Sequence, residues 1–176
     1  MSTITQPLRD EHRELFPHVE SLRAAADAVD EGSPADVRRA VDAAYDFLSG
    51  HLIPHAKAEE AALYPVVGRV LGAREATATM SRDHVEVGQL TDELGALRAR
   101  LSSGEAESRE LRRVLYGLYA LVKVHFAKEE EVYLPILDER LGEKEARQMF
   151  EAMEAAAHEA KAHAPGRSQG AAKGAG

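Results

Sequence analysis

The sequence predicts an all-α fold: an up-down-up-down four-helix bundle with a short additional C-terminal helix. Three observations predict it. The 176 residues are rich in Ala, Leu, Glu and Arg, poor in aromatics and devoid of Trp, a mixture that favours helix throughout. Apolar residues recur at spacings of three and four through four long stretches, the period of a helix with one buried face. Stop signals at Gly32, Gly72, Ser102-Ser103-Gly104 and Gly142 leave only short loops, which make successive helices antiparallel neighbours. The length suits one domain with a sizeable core. Residues 1–163 are assigned to the bundle and its extra helix. Residues 164–176 are small, polar and Gly-rich and read as a disordered tail.

Helix 1 is expected from about Pro7 to Val29, with Pro in its first turn and a stripe of Leu8, His12, Leu15, Val19, Leu22, Ala26 and Val29. Pro17 interrupts it and predicts a kink. Ser33-Pro34 is a start signal, an N-cap followed by Pro at the first helical position. Helix 2 runs from there to about Leu71, with Val37, Val41, Ala44, Leu48, His51, His55, Glu59, Ala62 and Val66 inward. Gly50, Pro54 and Pro65 break this helix around one His/Glu pair, and a Pro in a helix interior costs on the order of 3 kcal/mol relative to Ala. Helix 3, about Arg74 to Leu101, turns Met80, His84, Val87, Thr91, Leu94 and Leu101 inward. Helix 4, about Ala106 to Leu141, does the same with Leu111, Leu115, Leu118, Val122, His125, Glu129, Val132 and Ile136. Helix 5, roughly Lys144 to His163, places Phe150, Met153 and Ala157 on one side.

Composition narrows the function classes. The net charge of −8 is spread along the chain, and without a basic stripe nucleic acid is not an expected partner. No apolar run approaches the ~20 residues of a membrane span. The N-terminus lacks a signal-peptide pattern, and the absence of Cys excludes disulfides and thiol chemistry. A cytoplasmic protein, monomeric or weakly dimeric, fits these features.

The chemistry sits in a repeated frame. HAKAEEAALYP (55–65) and HFAKEEEVYLP (125–135) match as His55/His125, Glu59/Glu129, Glu60/Glu130 and Pro65/Pro135. Residues i and i+4 share one helix face, so each frame offers an imidazole and a carboxylate together. That combination suits iron, zinc or manganese. Depth supports convergence. At 1.5 Å per residue, His12 lies ~27 Å above its bottom loop, His55 ~31 Å, His84 ~27 Å and His125 ~29 Å. The four histidines reach one level of the bundle, each on an inward stripe. Buried carboxylates beside them need a cation or a metal. The candidate metal ligands are His12, His55, Glu59, His84, His125 and Glu129.

Three further residues stand near this level. His51, one turn below His55, is a candidate fifth histidine, a partner behind the ligands or a rim residue. Tyr133 lies on the inward face of a regular helix. Tyr64 does so only if Pro65 widens the turn. Either Tyr is an ordinary core-edge residue or a phenolate donor suited to Fe(III). Glu60, Glu130, Glu131 and His18 read as solvated, and His158 and His163 show no partner pattern.

With His12, His55-x-x-x-Glu59, His84 and His125-x-x-x-Glu129 on four helices, residues 7–141 resemble the hemerythrin-like family, the HHE cation-binding proteins. The resemblance implies two non-haem iron ions with an oxo or hydroxo bridge. It implies His12 and His55 on one iron, His84 and His125 on the other, and Glu59 and Glu129 bridging. The invertebrate oxygen carriers of that family have a second His one turn along helix 3, where this chain has Gly88, and an Asp in place of Glu129. One iron therefore lacks a ligand or gains Tyr64, Tyr133, His51 or water. Catalase-like turnover of hydrogen peroxide is the favoured expectation. The alternatives are reversible binding or sensing of O2 or NO, and iron binding without catalysis.

Overall fold

The computed structural model describes residues 3–101 and 105–162. Five helical rods form it, and no strand occurs among the described residues. Helix α1 is Gln6–Glu31, α2 spans 34–71, α3 is Ala78–Ala99, α4 spans 105–140 and α5 is Glu143–Ala162. The first four make the antiparallel bundle: α1 packs on α2 and α4, and α3 packs on the same two. Helix α5 lies across residues 53–63 of α2.

The ends follow local chemistry. Ser33 caps α2 through the Asp36 N–H, and Asp36 returns a bond to the Ser33 N–H, the reciprocal box that satisfies two orphan donors. Gly72 ends α2 at φ +68°, a left-handed conformation that glycine adopts at little cost. A 3-10 turn, Arg74–Thr77, leads into α3. The stop at Ser102-Gly104 and the tail 164–176 lie outside the described residues, as does His163.

Helix α2 is not broken by its prolines, contrary to the sequence expectation. It is widened. Three π-turns lie in the rods: Leu48–Leu52 and Glu59–Leu63 in α2, and Glu129–Tyr133 in α4. Each ends two residues before a proline, namely Pro54, Pro65 or Pro135. A proline ring collides with the carbonyl four residues back and offers no N–H. Here the residue before each proline donates instead to the fifth residue back: Ile53 to Leu48, Tyr64 to Glu59 and Leu134 to Glu129. The extra residue per turn rotates everything beyond it. Leu52 replaces His51 on the inner face, Val67 replaces Val66, and Leu134 and Leu137 replace Val132 and Ile136. Val132 is 49% exposed as a result. By contrast α1 continues through Pro17 as α-helix.

The core has two apolar clusters. One, built on Leu22, Leu48, Leu94, Leu115 and Leu118, fills the loop-proximal half of the bundle. The other, with Leu8, Leu63, Met80, Leu134 and Leu137, is closed by Met149 and Met153 of α5. Between them lies a thin polar layer.

Candidate metal centre

That layer holds His12, His55, Glu59, His125 and Glu129, all buried. His84 joins them with its side chain 10% exposed. The structure brings all six sequence-derived candidates together. Glu59 stands at the centre. Its Oε1 lies 3.0 Å from His55 Nε2 and 3.7 Å from His12 Nε2. Its Oε2 lies 3.2 Å from His84 Nε2 and 4.0 Å from His125 Nε2. Glu129 spans the same two groups, with Oε2 3.4 Å from His12 Nε2 and Oε1 3.5 Å from His125 Nε2. Two ligand-competent triads result, His12/His55/Glu59 and Glu59/His84/His125, sharing one carboxylate.

The π-turn at Glu59–Leu63 carries Tyr64 inward, the condition on which the sequence reading made its inward position depend. Its hydroxyl donates to Glu129 Oε1 at 2.8 Å and lies 3.2 Å from His125 Nε2 and 3.4 Å from His84 Nε2. Tyr64 therefore belongs to the His84/His125 group alone. One turn beyond His84 stands Gly88, where an added Cβ would meet nothing within 4 Å. The corresponding π-turn in α4 has the opposite effect on Tyr133. It swings out and donates to the Ala76 carbonyl at 2.9 Å. Neither Tyr133 nor the exposed His51 reaches the cluster, which corrects both as candidates.

Behind each imidazole stands a carboxylate. The Nδ1 atoms of His12, His55, His84 and His125 lie 2.9, 3.1, 2.8 and 3.1 Å from Glu130, Glu11, Glu60 and Asp83 respectively. This arrangement aims every Nε2 inward and raises its basicity. Arg9 backs Glu130, Lys128 backs Asp83 and Ser81 donates to Glu60. Glu60 and Glu130 are thus partners of histidines, not the freely solvated face expected from sequence. The missed signal was simple: an acid precedes both His12 and His84, and a second Glu follows the first in each frame. Phe126 was also missed. Its ring stacks on His12 at 4.4 Å and meets His55 edge-on at 5.8 Å.

The electrostatics follow from this crowding of acids. Burial opposes charging of His55, but Glu59 and Glu11 outweigh it and raise its pKa well above the ordinary value. Burial likewise opposes charging of His125, yet the nearby Glu129 and Glu59 carboxylates lift its pKa to about 10. Burial favours neutral Glu59, but His55, His12 and His125 hold it well below the usual carboxylate range. Burial and the Glu59 and Glu129 charges push the Tyr64 hydroxyl far up. The protein alone answers its own negative charge by binding protons where cations would sit.

The donor set fits metal ions on a separate observation. His12 Nε2, both ring nitrogens of His55, both oxygens of Glu59 and Glu129 Oε2 are buried without a hydrogen-bond partner. Each buried polar group left unpaired costs about 1–3 kcal/mol. All these atoms except His55 Nδ1, which faces Glu11, point into one layer, where bound cations would satisfy them together. Two inner and four outer carboxylates face two side-chain cations, Arg9 and Lys128, an excess that two divalent ions would neutralise.

No helix among the described residues is long and apolar enough to cross a membrane. Searches of curated proteins and of solved structures returned no match to the chain. Residues 3–137, ending just short of the α5 helix, match the hemerythrin HHE cation-binding domain. With that match and a His/Glu cluster at the same level of four antiparallel helices, the chain belongs to the hemerythrin HHE cation-binding family.

Proposed function

We propose that the chain holds two non-haem irons and turns over hydrogen peroxide, in the cytoplasm and with small molecules as its partners. The iron reading rests on the two triads of two histidines and one carboxylate, the ligand pattern of non-haem iron oxygen chemistry. His12, His55 and Glu59 would hold one ion, and His84, His125 and Glu59 the other. Glu129 spans both. A bound pair of irons would supply a reversible two-electron couple, one electron from each ion. Disproportionation then balances: one peroxide gives two electrons and two protons as dioxygen forms, and a second peroxide takes them up to give two waters.

The observation that carries peroxide turnover over gas carriage is Tyr64. Its hydroxyl stands beside His84 and His125, where it would give up its proton by way of Glu129 and hold the ion on that side as a phenolate. A polar cleft of about 410 Å³, lined by Glu60, Tyr64, Thr77 and Ser81 among others, opens on this side and suits a small polar reactant. The outer carboxylates keep each Nε2 aimed inward, and the leucine layers on either side exclude bulk water from the pair. The test is dioxygen evolution from added peroxide by the iron-loaded protein, without haem. A stable oxy form that releases O2 under vacuum, with negligible peroxide turnover, contradicts it. That second reading, reversible binding of O2 or NO, is favoured by one feature, the Phe126 wall that encloses His12 and His55.

A further inference from the structure

The opposite side of the centre carries a different opening. A cleft of about 490 Å³ runs between α1 and α4, with Phe16, Pro17 and Phe126 as its apolar floor. Its volume lies in the range of small-molecule sites, ~300–1,000 Å³. Phe126 stacks on His12, and the edge of His12 lines the cleft beside it. Phe16 is 39% exposed, and a large aromatic left open beside a concave apolar wall is informative where a scattered surface Leu is not.

The rim decides the ligand's charge. Arg9, Arg13 and Lys123 line the cleft against a single carboxylate, Glu130, in a chain whose net charge is −8. Glu130 is already engaged by His12 and Arg9. Arg9 is further tied to Asp138. Arg13 pairs only with Asp10 on its own helix, at 70% and 51% side-chain exposure. Lys123 reaches the Tyr119 hydroxyl at 2.8 Å and Glu20 at 3.6 Å, with half of its side chain in solvent. Exposed pairs of this kind add little to stability, so Arg13 and Lys123 can turn to an incoming anion at small cost.

We propose that this cleft binds a free amphipathic carboxylate, its hydrocarbon chain on Phe16, Pro17 and Phe126 and its carboxylate between Arg13 and Lys123. The site goes beyond the peroxide reading and needs no metal for its contacts. Calorimetric titration of the purified protein with decanoate tests it, with octylammonium as the charge-reversed control and metal content measured on the same sample. Saturable one-to-one binding of decanoate is expected, with none of octylammonium. The Arg13→Glu/Lys123→Glu double variant should weaken decanoate at least tenfold, and Phe16→Ser should weaken it severalfold. These positions hold no metal donor, and unchanged helicity and melting temperature show that the variants fold. Absence of saturable binding, equal binding of octylammonium, or affinity unchanged in the double variant overturns the proposal. A sample that lacks iron yet binds decanoate would overturn the iron centre and leave the cleft standing. An iron-loaded sample that ignores decanoate would do the reverse.

Discussion

The frames 55–65 and 125–135 are alike in all that makes a ligand pair and unlike in one transposition. Each supplies an inward His and Glu, a second Glu that bonds a histidine of a neighbouring helix, and a π-turn ending two residues before a proline. In both, the residue just before the proline turns inward. In one frame that residue is Tyr64, which lies against His84 and His125. In the other it is Leu134, fully buried in the apolar cluster. Tyr and Leu exchange places between the frames, as Leu63-Tyr64 and Tyr133-Leu134. Backbone geometry therefore sets which position faces the centre, and a two-residue swap sets which half of the centre receives a hydroxyl. The His/Glu cluster is built from two like halves and made unequal by one side chain.

The largest way to break the symmetry is at its shared carboxylates. Both oxygens of Glu59 lack hydrogen-bond partners, whereas Glu129 Oε1 already accepts from Tyr64. Glu59→Gln is expected to lose both metal ions, and Glu129→Gln to retain at least one. Elemental analysis of the two purified variants decides; equal losses would remove the distinction between a central and a spanning carboxylate.

Next in size are the outer carboxylates. Asp83 is held by Lys128 as well as His125, while Glu11 serves His55 with its side chain 48% exposed. Loss of such a partner costs about 10–100-fold in metal affinity. Asp83→Asn is expected near the upper end and Glu11→Gln near the lower, measured by competition with a chelator. The reverse order would show that the cation behind the carboxylate does not matter.

The pH response separates the empty from the loaded centre. His125, at about 10, and His55, well raised, exceed the unfolded value of about 6.5. Their contribution to stability is complete below roughly pH 6.5 and fades as pH rises through the folded values. Glu59 is depressed, so its contribution is present above roughly pH 4.5 and fades as pH falls further. Chelated protein is thus expected to weaken from about pH 6.5 toward about pH 9. Loaded protein should do the opposite, losing metal as pH falls toward roughly 5, because protons compete for the same nitrogens. Thermal melts of the two forms across this range should show opposite slopes; parallel curves would contradict metal–proton exchange at these histidines.

Most of the fold was readable because a helix repeats every 3.6 residues and rises evenly. The stripes of α1 and α3, the Ser33 cap and the Gly72 stop follow from local rules, and counting residues from the loops places His12, His55, His84 and His125 at one level. What those rules missed lies in the π-turns and just after them. A fixed period puts His51, Val132 and Ile136 inward, and a proline can be met by a kink or by a wider turn; the sequence does not say which. The four outer carboxylates were hidden for another reason. Glu60 and Glu130 sit on a mostly exposed face, and only side-chain direction shows them reaching back to His84 and His12.

The smallest expected effect completes the comparison. Tyr133→Phe removes one hydrogen bond to Ala76, worth about 0.5–1.5 kcal/mol, and leaves metal content and colour unchanged. A Tyr133→Phe variant that lost metal would place that residue at the centre after all.

An unequal di-iron pair with Tyr64 on the His84/His125 side is the arrangement we propose. Its most direct test is iron content with the visible spectrum of aerobically purified wild type and Tyr64→Phe. Two irons per chain are expected in both proteins, with a phenolate-to-iron absorption band present in wild type and absent from Tyr64→Phe. One zinc per chain, or a band that survives Tyr64→Phe, would contradict it.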